Sequence, residues 1–490
     1  MTPKPSLKRN TLANFVGSAL PMIVSLITVP MYLHHVGSAR YGVLAIVWML
    51  QGYFGYFDVG LAAATANRIA QLGESTPAER ESVLWTALVL NLAIGCGAGL
   101  LLFGIGRVLF AQFHLVPALH AEVIEALPWI ACTVPLALVS SVFSGALIGR
   151  EQFAQLNAVQ FISVLIFQVV PLAAAMTLGP DLRHVIGAAT LSSTVAVAIK
   201  IGVVFRAFPL RFAGLPTKRW IKPLFSYGVW VAVSNVLGPL LDTVDRIVIG
   251  SVLGPQAVAH YQVPSNLAVR VRILPGAICG SLSPRLASLD TQSAMALASR
   301  ALRVLSAALT PMIVFGIFLM QPFLTLWVGR GFALHAAPIG AVILVGVWFN
   351  CLAHVPYCHV QAIGRPNLGA YNHAVQVVPY LLCLWVALHG LGLIGAAYVW
   401  SLRSAVDFGL GFWAAGYRAP AARYLARHAV IVLGAYGLML LFPWHCYAYF
   451  VTWTLSTGAA ILLVLGNDAA LRARVTGSIS TLVRGAWRRS

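Results

Sequence analysis

Charge is what this sequence has least of. Only 9% of its 490 residues are Asp, Glu, Lys or Arg, and 13 are acidic, whereas a soluble domain carries about 25% charged residues. So little charge cannot keep a surface of this size dispersed in water, which leaves lipid as the solvent for much of it. Nucleotide-binding and hydrolytic signatures are missing as well. The chain has no G-x-x-x-x-G-K-[ST] loop of the kind ATP hydrolysis needs, and neither G-x-S-x-G nor H-E-x-x-H occurs. None of the seven cysteines (Cys96, Cys132, Cys279, Cys351, Cys358, Cys383 and Cys446) forms a C-x-x-C pair. Buried free thiols are expected, not a disulfide framework. No small-x-small cleavage site closes the first apolar run, Thr11 to Leu33, so it reads as a retained helix and not as a signal peptide.

Apolar residues are abundant: 59% of the chain, with a mean hydropathy of +0.84. About fourteen segments are long enough to cross a bilayer. They lie near 11–33, 42–66, 83–109, 123–149, 155–178, 184–207, 224–250, 257–282, 303–328, 336–362, 368–389, 391–416, 427–443 and 446–466. Backbone groups in hydrocarbon must pair within their own segment, so these are helices, and Pro21, Pro171, Pro239, Pro275 and Pro311 mark kinks. The net charge of +19 would suggest nucleic acid in a soluble protein. Here the bases sit in short gaps, with no basic face interleaved with exposed aromatics, so no nucleic-acid partner is expected. With the N-terminus in the cytoplasm, 23 of the 32 basic residues fall on that side, and only Arg40, Arg107, Arg183 and Arg330 on the other. That bias predicts two cytoplasmic termini and an even number of spans.

The expected fold is therefore all-α: a polytopic membrane protein with about 14 transmembrane helices, arranged as two six-helix lobes plus a C-terminal helix pair. Residues 1–208 would form the N-terminal lobe, 209–222 a cytoplasmic linker containing Pro209 and Pro216, and 223–417 the C-terminal lobe. Residues 418–490 would supply helices 13 and 14 and a basic cytoplasmic tail. At an offset of 217 residues Gly37 matches Gly254, and Arg68, Ala70 and Leu72 match Arg285, Ala287 and Leu289. Lobes of six helices insert the same way up, which implies an axis along the membrane normal and a substrate cavity between them.

Ionisable side chains in hydrocarbon cost about 2.5–3.5 kcal/mol each on insertion scales, so each is expected to face a cavity or a partner. Asp242, Asp245 and Arg246 lie in the seventh segment. Asp242 and Arg246 are four apart and can pair; the group reads either as self-neutralised or as a site for ions or a head-group. Asp245 is the better proton or cation candidate of the two acids. Arg270 and Arg272, in the eighth segment, have no acid within four residues and point in well-separated directions. Such guanidinium groups suit an anionic substrate, because the planar fork binds phosphate bidentately; the alternative is snorkelling to an interface. Arg403 and Asp407 are four apart and can neutralise each other, and Lys200 is expected to snorkel to the cytoplasmic surface. Asp58, among Tyr53, Phe54, Tyr56 and Phe57, suits ion coupling or a sugar site, or else a helix-end acid bonded to backbone near Gly60. Cys351, His354 and Cys358 share a helix face, but no fourth ligand is evident. They read as packing, and neither a metal nor a cofactor is expected.

The run from LKRNTLANFVG through FDVGLAAATANRIAQL resembles the N-terminus of the polysaccharide transporter family. These are the O-antigen and exopolysaccharide repeat-unit flippases of the multidrug/oligosaccharidyl-lipid/polysaccharide exporter superfamily. The matching positions are Asn14, Gly17, Pro30, Tyr32, Leu33, Gly37, Tyr41, Gly42, Phe57, Asp58, Gly60, Leu61 and Arg68, then Asp245, Arg246, Gly254 and Tyr261. The resemblance implies a transporter, not an enzyme, of the bacterial inner membrane. It would flip an undecaprenyl-diphosphate-linked oligosaccharide repeat unit from the cytoplasmic to the periplasmic leaflet for polysaccharide biosynthesis, by alternating access driven by an ion gradient. Arg270, Arg272, Arg403 and Arg246 would meet the anionic substrate, and Asp58, Asp242 and Asp245 are the ion-coupling candidates. Partners would be the lipid-linked oligosaccharide, membrane lipids, and a polysaccharide polymerase or chain-length protein. Two alternatives stand beside this. A drug or metabolite exporter of the same superfamily would favour acids over bases within the helices. A membrane glycosyltransferase or polymerase would need a large acidic outer loop.

Overall fold

A computed structural model describes residues 23–56, 61–72, 77–111, 116–150, 152–207, 215–222, 244–287, 289–362, 367–417 and 419–467. The regular elements among them are all helical. They are α1 (Ile23–Val36), α2 (Ser38–Tyr56), α3 (Leu61–Leu72), α4 (Pro77–Ala111), α5 (Pro117–Gly149), α6 (Phe153–Thr177), α7 (Leu182–Ala207) and the turn α8 (218–222). There follow α9 (Val244–Leu253), α10 (Pro255–Ala268), α11 (Ile273–Ala287), α12 (Thr291–Val328), α13 (Arg330–Ala362), α14 (Asn367–Leu391), α15 (Leu393–Ala414), α16 (Ala419–Leu441) and α17 (Tyr447–Asn467).

Among the described residues nine helices are long and apolar enough to cross a membrane: α4 to α7, α12 to α14, α16 and α17. The protein is an all-α, multi-pass membrane protein, as its composition requires. Two of the apolar segments take forms that composition did not foretell. The segment near 303–328 begins as helix at Thr291, because Asp290 caps it by accepting from the Gln292 and Ser293 amides at 3.1 and 3.0 Å. The Ser293 hydrogen bond also holds the Asp290 carboxyl below the usual carboxylate range. The segment near 257–282 is not one α-helix. It passes through a 3₁₀ turn at Val269–Arg272 between α10 and α11, and tight turns of this kind within a helix mark hinges or strain.

Contacts divide the chain into two compact units, Met1–Gln262 and Val263–Ser490. In the first, α5 is the central helix, packed by α2, α3, α4, α6 and α7. Its Gly145 and Gly149 lie against the α3 backbone at Ala62 and Ala66; a Cβ on Gly149 would stand 2.6 Å from the Ala66 carbonyl oxygen. Small residues four apart on both helices let the two backbones meet. At the start of α2, Arg40 grips Glu122 of α5 through two bonds of 2.8 and 2.5 Å, and the Leu182 amide of α7 donates to the same carboxylate at 3.2 Å. Arg183 bridges Glu125 at 2.6 Å and Asp181 at 2.5 Å, and its hydrogen bond keeps the Asp181 carboxyl below its ordinary range. Residues 215–222 are docked on the same unit. The Thr217 amide donates to Thr86 Oγ1 at 3.0 Å, Ser82 Oγ donates to the Leu215 carbonyl at 2.8 Å, and the Trp220 ring is buried beneath the Arg68 guanidinium at 4.6 Å.

The matched glycines of the repeat behave alike. Gly37 separates α1 from α2 and Gly254 separates α9 from α10, each with φ of 83°, a left-handed conformation that favours a residue without Cβ. The two hairpins touch where Gly42 of α2 meets the Pro255 backbone. In the second unit α13 is central, packed by α11, α12, α15 and α16. It is the most completely buried of the nine apolar spans, apolar all round as a core helix must be.

Candidate functional site

Among the described residues, three of the polar clusters within the helices hold Asp407, Asp245 and Lys200. The largest joins α13, α14 and α15 in the second unit. Asp407 of α15 is buried, and its Oδ1 accepts from Tyr357 of α13 at 2.7 Å and from Asn372 and Gln376 of α14 at 3.0 and 2.9 Å. His373 Nδ1 stands 3.7 Å from the same oxygen, and its ring stacks on Tyr357 at 5.2 Å. Asn372 also donates to the Tyr357 hydroxyl. Every described hydrogen bond of Asp407 falls on Oδ1, and Gln376 Oε1 is buried without a hydrogen-bond partner. The expected neutralisation of Asp407 by Arg403 within one helix gives way to donors from neighbouring helices, because an aromatic hydroxyl and two amides sit closer to the carboxylate. Arg403 is buried with its guanidinium 5.3 Å from the Tyr380 ring.

The two arginines of the 3₁₀ turn part company, as residues two apart should. Arg270 is exposed, while Arg272 is half-buried with its guanidinium 5.8 Å from the Trp400 ring. Trp400 and Arg403 are three apart on α15 and share a face. Arg272 and Arg403 therefore flank one stretch of that helix, each seated on an aromatic ring, an arrangement that holds a guanidinium in place.

The second cluster lies in the first unit, on α9 and α10. Asp245 and Arg246 are both buried and form an ion pair of 3.2 Å. Tyr261 donates to the other Asp245 oxygen at 2.7 Å, and Arg246 Nε donates to Gln262. Asp245 thus has both oxygens engaged. Asp242 and Asp58 lie outside the described residues, so the expected pair of Asp242 with Arg246 does as well.

The third cluster corrects an expectation. Lys200 does not snorkel: it is buried on α7, with Nζ 2.7 Å from Ser140 Oγ and 3.0 Å from Ser144 Oγ on α5. Hydroxyls on the adjacent helix are nearer than the surface, and they solvate the ammonium there. Of the helix-face cysteines, Cys358 Sγ donates to the Cys279 carbonyl at 3.7 Å, and His354 Nδ1 lies 2.9 Å from the Asn350 carbonyl of its own helix. Among the described residues no three His, Cys, Asp or Glu side chains are placed to hold a metal ion. Charge inside an apolar run was the signal that led to Arg246, Arg272 and Arg403. Tyr357, Asn372, His373 and Gln376 carried no such signal, although Asn372 and Gln376 are spaced four apart on a helix face.

The model of the polysaccharide biosynthesis protein family matches residues 7–290. A Shigella flexneri protein provisionally named an O-antigen transporter is 28% identical over 419 residues, spanning 83% of this chain and 97% of its own. Among solved structures, an inward-facing multidrug resistance transporter of the MATE family, in the MOP superfamily, superposes with a TM-score of 0.69 at 15% identity, over 84% of this chain and 99% of its own. The lipid II flippase MurJ in an inward closed conformation does so with a TM-score of 0.69 at 13% identity, over 93% and 97%. At these identities the structural likeness is one of fold.

Proposed function

Because the chain belongs to the polysaccharide biosynthesis protein family, a transporter family and not an enzyme family, we propose that it flips a lipid-linked oligosaccharide repeat unit across the bacterial inner membrane. The unit, on undecaprenyl diphosphate, would pass from the cytoplasmic to the periplasmic leaflet by alternating access. The relative named an O-antigen transporter supports this reading. So does helix in the described part of each of the fourteen apolar segments, as expected of two six-helix lobes and a final pair with both termini cytoplasmic.

The observation that carries the proposal is a pair of guanidinium groups beside one stretch of α15, Arg403 of that helix and Arg272 of the 3₁₀ turn. Arg403 is buried and Arg272 half-buried, each on an aromatic ring inside apolar helices. Guanidinium groups inside apolar helices suit an anionic substrate, and a diphosphate offers oxygens with the spacing of the guanidinium fork. Arg246 forms an ion pair with Asp245, so that carboxylate already meets its charge. For ion coupling the second oxygen of Asp407 makes this carboxylate a better candidate than Asp245, whose oxygens are both taken. The proposal is tested by reconstituting the protein into liposomes carrying a lipid-linked oligosaccharide on one leaflet and following its exposure to an impermeant lectin. Translocation by the wild type, lost in Arg272→Gln and Arg403→Gln, is expected. Wild-type vesicles that export a cationic dye but never move the sugar lipid would overturn it.

A further inference from the structure

The substrate contacts proposed above leave Lys200 without a task, yet its setting is specific. It sits on α7 seven residues before the end at Ala207, roughly 10 Å along the helix. Its three ammonium protons meet three neutral oxygens: Ser140 Oγ at 2.7 Å, Ser144 Oγ at 3.0 Å and the Ser140 carbonyl at 3.5 Å. No carboxylate is among its described partners. Helix α6 contains no titratable residue, nor does α5 from Leu136 to Ile148, nor the rest of α7 from Thr190 to Phe205. The cluster is therefore a buried charge solvated by hydroxyls with nothing described to neutralise it, a costly arrangement inside a membrane protein.

The serines are its open side. Both are half-buried where Lys200 is buried. Ser144 spends its hydroxyl proton on the Ser140 carbonyl at 3.1 Å, but the Ser140 hydroxyl proton is used in none of the described hydrogen bonds. A hydroxyl that accepts from an ammonium and keeps its own proton free is a polarised donor, and charge-assisted donors favour anions.

We propose that Lys200, Ser140 and Ser144 form an oxyanion subsite of the first unit, which takes a phosphate or carboxylate oxygen of the transported molecule. The Ser140 hydroxyl donates to that oxygen and the Lys200 ammonium supplies the charge. The subsite rests on the transport reading, and its test separates the two. Binding is measured on the full chain in lipid nanodiscs with two probes, undecaprenyl diphosphate and a glucuronate-containing disaccharide, for the wild type and for Lys200→Gln, Lys200→Arg, Ser140→Ala and Arg403→Gln.

Lys200→Gln should weaken one probe at least tenfold and Ser140→Ala severalfold, whereas Lys200→Arg, which keeps the positive charge, should lose clearly less than Lys200→Gln. The probe that responds identifies the source of the oxyanion. Should Lys200→Gln fail to fold, as judged by its melting profile, Ser140→Ala decides, because it removes one hydroxyl and keeps the ammonium. Unchanged binding of both probes by Lys200→Gln or Ser140→Ala, with a loss in Arg403→Gln, would end this inference and leave the transport reading standing. A loss in Lys200→Arg equal to that in Lys200→Gln would also overturn it, since the retained charge would then contribute nothing. A wild type that binds neither probe would sink both.

Discussion

Replacing Asp407 with Asn separates a structural role from a functional one. The carboxylate oxygen Oδ1 accepts from Tyr357, Asn372 and Gln376. Hydrogen bonds to a charged group contribute about 1.5–3 kcal/mol each, and neutral ones about 1. Exchanging carboxylate for amide therefore weakens the three together by roughly 1.5–6 kcal/mol. Against this, the substitution removes a buried charge whose desolvation costs several kcal/mol. The two effects oppose each other at similar size, so the net change in stability is expected to stay within about 2 kcal/mol. Transport that depends on a cation at this carboxylate should instead fall at least tenfold, since the amide carries no charge. The assay pairs sugar-lipid translocation in vesicles with the melting profile of the same preparation, with Asp407→Glu as the charge-keeping control. Normal transport by Asp407→Asn would refute the coupling role, and so would a loss that merely tracks the fraction of folded protein.

Elsewhere in the molecule the expected outcomes are more local. Gly149→Val drives a side chain into the Ala66 backbone and should cost about 1–3 kcal/mol by overpacking, seen as a lower melting temperature, with Ala66→Ser far milder. Trp220→Ala removes a buried ring from the docked residues 215–222 and should cost about 3–5 kcal/mol; faster proteolysis near Thr217 would report the undocking. Glu122→Gln halves the grip of Arg40, a partly exposed pair, so a loss of only about 1 kcal/mol is expected, and it should shrink in high salt. The Asp290 carboxyl titrates below its unfolded value, so its cap stabilises above the ordinary carboxylate range and is lost as pH falls through the depressed folded value. Asp290→Ala should therefore lie closest to the wild type in acid and farthest from it near neutrality, as read from melting at several pH values.

The fold was legible because its cause is chemical and repeated. A lipid-facing backbone leaves helix as the solution for runs as long as Phe153–Thr177, and composition alone marks those runs. Legibility failed where one residue outweighed its surroundings. Asp290 begins α12 well before the apolar stretch does, and the turn at Val269–Arg272 lies inside a run that looks uniformly helical. At the site, charge was visible and partnership was not. Spacing suggested that Asp407 would turn to Arg403, but Tyr357 comes from 50 positions away, a distance no helical rule reaches. Lys200 failed for the same reason, because Ser140 and Ser144 look like ordinary small residues until α5 and α7 are packed together.

Gly42 has a mechanical consequence. A side chain there would strike the Pro255 carbonyl, so the two hairpins meet as bare main chain against main chain. Meshed side chains work like gear teeth, and they resist both sliding and turning. A bare backbone contact has no teeth to interlock, and with the carbonyl this near even a methyl group would force the two segments of chain apart.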